Sequence, residues 1–117
     1  MGENKLKVLQ TFLMIIEWLG FLVKPQLREK FLAEDQKIWT PILAESAGFL
    51  GKEIWLDPAR DDRVFIIVRW RSREQWKAIS PELLAEIDQK FALAMGTDNY
   101  QMLESTEYQS SKSIISS

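Results

Sequence analysis

The first long apolar run is residues 14–23, MIIEWLGFLV, closed by Lys24-Pro25. It is too short for a long buried helix and rich in Ile, Leu and aromatic residues, which predicts a strand. Leu19, Phe21 and Val23 fall on one side of that strand and Ile16, Trp18 and Leu22 on the other. A strand apolar on both sides has to be covered on both sides. From Pro25 to Ala47 the period changes: Leu27, Phe31, Ile38 and Ile42 form one helical stripe, and Gly48 suits the position after a helix end. Pro41 lies inside this stretch and predicts a kink or break near Trp39-Thr40.

Residues 49–56, FLGKEIWL, and 63–70, RVFIIVRW, read as two strands joined through the polar residues 57–62, a hairpin with a loop of moderate length. Ser72-Arg73-Glu74-Gln75 matches a capping box and opens a short helix. Ser80-Pro81 opens a longer one, with an apolar face of Leu83, Leu84, Ile87, Phe91, Ala94 and Met95, an outward Glu86–Lys90 pair and Gly96 as its stop. Residues 100–108 give a last, weakly alternating strand. The order β-α-β-β-α-β predicts an α+β, ferredoxin-like fold: a four-stranded antiparallel sheet with helices on one face. The other face of such a sheet would be bare, yet its strands are apolar there too. The simplest cover is a second copy, giving a two-fold dimer through the sheet faces. One domain over 14–108 is expected, with 1–13 a loose arm and the Ser-rich residues 109–117 a frayed tail.

Composition narrows the chemistry. The chain has 117 residues, with 15 Lys and Arg against 17 Asp and Glu, a balance that argues against a nucleic-acid-binding role. It has no cysteine and no histidine, which removes disulfides, thiol nucleophiles, Cys/His zinc sites and His-based triads. Gln10, Thr11 and Glu17 interrupt the apolar N-terminal stretch, and no small-residue cleavage site follows. Neither a signal peptide nor a membrane span is expected, and a cytoplasmic protein is.

Two stretches carry a family resemblance. One is Ile16-Glu17-Trp18-Leu19 with Leu27-Arg28-Glu29-Lys30-Phe31 and Ile38-Trp39-Thr40. The other is Gly48-Phe49-Leu50-Gly51-Lys52-Glu53-Ile54-Trp55 with Arg69-Trp70-Arg71-Ser72-Arg73-Glu74-Gln75-Trp76-Lys77-Ala78-Ile79. Together they resemble the dimeric α+β barrels that include the antibiotic-biosynthesis-monooxygenase-like proteins, and within them a cyanobacterial family. The resemblance implies a homodimer with sheets face to face and leaves activity open, since the superfamily holds cofactor-free monooxygenases, haem-degrading enzymes and stress-responsive proteins. Its haem-binding members rely on a histidine, which this chain lacks, so no cofactor is expected.

Asp35 stands out among the polar residues. At about 100° per residue it lies about 40° around the helix from Phe31, in the stripe that should face the sheet. It reads as a buried acid lining a cavity, as the partner of Arg28 or Arg69, or as a residue at the frayed edge of the sheet. Glu17 and Arg69 fall on adjacent strands, either as a polar pair orienting a ligand or as a cross-strand salt bridge. Five tryptophans are many for this length and suit either a core or an aromatic pocket. Arg69, Arg71, Arg73 and Lys77 surround Trp70 and Trp76 but read as a solvated strand end, and Asp57, Asp61 and Asp62 as a solvated turn.

The expectation is a protein that binds a small apolar or aromatic molecule between helices and sheet. Its pocket would involve Trp18, Phe31, Asp35, Trp39, Arg69 and Trp70, with no metal. One alternative is a cofactor-free monooxygenase with Asp35 or Glu17 as base, and another is a non-catalytic structural dimer.

Overall fold

The computed structural model describes residues 6–10 and 13–116. In chain order the strands are β1 (Leu6–Gln10), β2 (Ile15–Val23), β3 (Phe49–Asp57), β4 (Arg60–Trp70), β5 (Tyr100–Gln109) and β6 (Ser113–Ser116). The helices are α1 (Arg28–Glu34), α2 (Thr40–Ala44), α3 (Arg73–Lys77) and α4 (Pro81–Met95). Strands β3, β4, β2 and β5 form, in that spatial order, one antiparallel sheet. The first and third strands of the βαββαβ unit are central, which is the ferredoxin-like arrangement the pattern predicts.

Strand parity decides what each face carries. On β4, Val64, Ile66, Val68 and Trp70 are all buried against the helices. There they meet Ile15, Phe21 and Val23 of β2, Phe31 of α1, and Ile87, Phe91 and Met95 of α4. Phe21, Phe31, Phe91 and Tyr100 form an aromatic chain through this core, with ring centroids 5.2 to 5.9 Å apart. The alternate residues face the other way. Trp18 lies there with Trp55 at 5.3 Å, Phe65 at 5.5 Å and Tyr108 at 6.2 Å. Across the same face Glu104 of β5 reaches over β2 to Arg63 of β4, 3.0 Å away. Gly20 lies beneath it, and a Cβ there would stand 2.6 Å from the Glu104 carboxylate oxygen, so this side chain would have to shift to admit one.

Three expectations change. The stretch 25–47 holds neither a uniform helix nor a simple break. A 3-10 turn over Pro25–Leu27 leads into α1, and Asp35–Trp39 then widens into a π-turn before α2. Pro41 has no N–H to donate and its ring crowds the preceding turn, so the helix widens there and continues. The hairpin loop is also shorter than the polar stretch 57–62. Asp57 accepts from the Ala59 N–H at 2.8 Å, a side-chain-closed turn that frees Arg60, Asp61 and Asp62 to join β4. Finally, Leu6–Gln10 and Ser113–Ser116, read as arm and tail, pair antiparallel as β1 and β6. The start of β2 and the end of β5 are neighbours (Ile15 opposite Gln109), so the flanking chains leave the sheet side by side and keep pairing. The remainder of the expected arm, residues 1–5 and 11–12, and Ser117 lie outside the described residues. Among the described residues no helix is long and apolar enough to cross a membrane.

Candidate functional site

A cavity of about 560 Å³ lies between the helices and the sheet, within the usual range for small-molecule sites. Its walls are mostly apolar: Leu19, Phe31, Trp39, Ile66, Trp76 and Met102. Polar side chains are set into them from different elements: Glu17 from β2, Asp35 from the π-turn and Lys52 from β3, with Asp88 of α4 and Tyr100 and Ser105 of β5 also on the lining.

Asp35 and Lys52 form a buried ion pair. Lys52 Nζ donates to Asp35 Oδ2 at 2.6 Å, and the two side chains are 7% and 3% exposed respectively. A second Lys52 N–H goes to Thr40 Oγ1 at 2.9 Å. The Thr40 hydroxyl in turn reaches the Asp35 carbonyl oxygen at 3.3 Å, tying the pair to the π-turn. Burial pushes the Asp35 carboxyl above its ordinary value, against the opposing charge and hydrogen bond of Lys52.

Glu17 accepts one hydrogen bond, from the indole Nε1 of Trp70 at 3.2 Å. Burial raises its pKa, and the Trp70 bond and the charges of Lys77 and Lys52 offset that only in part. The cavity wall therefore holds one neutralised pair and, in Glu17, a carboxylate with no direct ion partner whose charged form burial disfavours.

The expected site residues separate by strand parity. Phe31, Asp35 and Trp39 line the cavity. Trp70 is fully buried behind it and acts through its N–H on Glu17. Trp18 and Arg69 are on the opposite face. Trp18 follows Glu17 and Arg69 follows Val68, and consecutive strand residues cannot share a face. For the same reason Glu17 and Arg69 form no pair, and Arg69 instead meets Glu53 at 3.0 Å. Neither Arg28 nor Arg69 partners Asp35, and Arg28 lies 4.0 Å from Glu29. Lys52 is the residue sequence reasoning missed. The signal was its parity: it precedes Ile54 by two residues on the core-facing side, a cation where the alternation calls for an apolar side chain. Among the described residues no cluster of three or more Asp or Glu side chains is placed to hold a metal ion. Asp57 and Asp62 are occupied in the hairpin, Asp62 by Arg60 at 3.0 Å.

Residues 14–80 match the family profile described as antibiotic biosynthesis monooxygenase. The chain belongs to that family. The matched segment of this antibiotic-biosynthesis-monooxygenase-family chain contains Glu17, Asp35, Lys52 and Trp70, whereas α4 and β5, which complete the cavity, lie beyond it. No curated protein matches the sequence. Solved structures with the same fold include SnoaB, a cofactor-independent oxygenase from Streptomyces nogalater, at 15% identity and a TM-score of 0.60, covering 86% of this chain and 95% of that one. A conserved protein from Methanosarcina mazei superposes with a TM-score of 0.62 at 14% identity, covering 87% and 95% of the two chains. A protein from Shewanella oneidensis does so at 0.57 and 13%, covering 95% and 99%.

Proposed function

We propose that this chain binds a small, flat, largely apolar molecule, an aromatic one, in the cavity between helices and sheet, and that it works as a homodimer joined through the opposite sheet face. The observation that carries the reading is the cavity itself: about 560 Å³ of mostly apolar wall with a few convergent polar groups. A purely structural dimer would have no use for such an interior, which a folded domain ordinarily fills. The aromatic cluster of Trp18, Trp55, Phe65 and Tyr108 supports the dimer, since a patch of that kind marks an interface.

One observation favours a second reading, cofactor-free oxygenation. The chain belongs to a monooxygenase family and holds, in Glu17, a half-buried carboxylate whose pKa is raised by burial, the direction a general base needs. Glu17 would take a proton from an activated CH₂ of an electron-rich aromatic substrate. The resulting carbanion would react with O₂, one oxygen atom ending in the new carbonyl and the other in water. Native mass spectrometry of protein purified without added ligand tests the binding reading. A dimer carrying the extra mass of a small molecule is expected; a bare monomer, still bare after incubation with naphthalene, contradicts it.

A further inference from the structure

Lys52 is a buried amine with no part in the oxygenation step. Among the described residues it is the one lysine that lines the cavity, and its side chain is 7% exposed. Its ammonium is held by Asp35 Oδ2 at 2.6 Å and Thr40 Oγ1 at 2.9 Å. Asp35 opens the π-turn and Thr40 follows it, and widened turns of this kind recur at functional sites. Asp88, Tyr100 and Ser105 also line the cavity, but none of them bonds to Lys52. As a structural device alone the pair gains little, since a buried ion pair is often no more stabilising than apolar side chains of the same volume. What the arrangement does supply is an amine in an apolar wall with one carboxylate beside it, and burial disfavours the charged form of that carboxylate. A lysine desolvated in this way, with an acceptor for its proton at hand, is a nucleophile towards carbonyl carbon.

We propose that Lys52 forms a Schiff base with an apolar aldehyde or ketone bound in the cavity, so that the ligand class is carbonyl compounds. The inference rests on the proposed cavity-binding function and adds a covalent step to it. Asp35 takes a proton from the Lys52 ammonium and frees the Nζ lone pair. Nζ attacks the carbonyl carbon, and the C=O π pair moves to the oxygen, which takes a proton from the nitrogen to give a carbinolamine. Asp35 returns its proton to that hydroxyl, the C–O bond breaks, water leaves and the nitrogen lone pair closes the C=N bond. Two hydrogens have left the nitrogen, both in the water that carries the carbonyl oxygen, and nothing is oxidised or reduced. The iminium N–H still faces the Asp35 carboxylate, so the buried charge keeps its partner, and the apolar walls limit the water that would hydrolyse the bond.

Reductive trapping of the full chain tests this, with limiting naphthaldehyde and sodium cyanoborohydride near neutral pH. Hydride delivered to the iminium carbon leaves a stable secondary amine, and proteolysis with mass spectrometry locates the naphthylmethyl group. Lys52 should carry about tenfold or more label than the exposed Lys24, Lys30 and Lys90, as expected of reacting groups held together. Excess naphthalene should suppress the label at Lys52 and leave that on the exposed lysines unchanged. Lys52→Met alone would leave Asp35 buried without its partner and could unfold the chain, so the pair is removed together as Lys52→Met/Asp35→Leu. That variant should lose the naphthalene-protected adduct and still bind naphthalene. Label no higher at Lys52 than at the exposed lysines, while native mass spectrometry finds naphthalene bound, overturns the inference and leaves the cavity reading standing. Failure of naphthalene to bind overturns the cavity reading and this inference with it.

Discussion

Glu17 illustrates how one side chain couples burial to pH. Its pKa is raised from 4.5 because ionising it in the cavity wall is unfavourable, so the folded chain holds this proton more tightly than the unfolded chain does. The contribution to stability is complete below the ordinary carboxylate value and is lost as pH rises through the folded-state pKa. Glu17→Gln removes the ionisation. Urea denaturation from acidic to neutral pH should find the variant gaining stability relative to the unaltered chain as pH rises above about 4.5, the starting point of the shift. A constant difference between the two would mean that Glu17 is not buried as described. Asp35 was legible at this scale, because helical spacing from Phe31 placed a carboxylate in the core-facing stripe. Its partner was not. The partner comes from a strand 17 residues further along the chain, and only the folding of β3 under the π-turn brings Lys52 to it.

Elements followed the sequence wherever the local chemistry was self-contained. Ser72 and Ser80 accept from the N–H groups of Gln75 and Leu83, at 3.1 and 3.2 Å, as their capping patterns require. The departures come from interactions beyond the local pattern. The Asp57 side chain shortens a loop, Pro41 widens a turn, and β1 finds β6 only because β2 and β5 are neighbours. Gly48 links elements in another way. Its φ is +84°, and a Cβ there would stand 2.6 Å from the Gln75 Cβ, so the turn after α2 packs directly on α3. Its carbonyl also accepts from the Arg71 N–H at 2.7 Å. Gly48→Ala should therefore destabilise the chain by about 1–2 kcal/mol or more, from the left-handed backbone alone. Calorimetry should read this as a melting temperature several degrees lower. An unchanged melting temperature would show that this turn is not held in the left-handed conformation.

On the scale of the whole molecule, strand parity divides the protein into two working faces. Odd positions of β2 and even positions of β4 build the core and the cavity; their neighbours build a second apolar layer on the far side. Ile67, at a register position opposite Trp18, is 1% exposed even there, whereas Trp55 and Tyr108 remain 43% and 53% exposed. The apolar character of both faces was readable in the sequence. Residue type alone places Trp18 and Arg69 in the pocket, whereas strand parity puts them on the far face. If the far face joins two copies, placing a charge within the aromatic cluster by Trp55→Glu should turn a dimer of 13.7 kDa chains into a monomer. Sedimentation equilibrium reads the difference, and a wild-type chain that sediments as a monomer would rule out the dimer.

The central claim is that the ligand site lies between the helices and the sheet. It is tested most directly by titrating methyl-labelled protein with naphthalene and following the methyl resonances by NMR. The methyl groups of Leu19, Ile66 and Met102, which line the cavity, should shift and saturate together, while those of Ile16 and Leu22 on the far face stay in place. Saturable shifts confined to the far face, or no shifts at concentrations where native mass spectrometry finds the molecule bound, would contradict it.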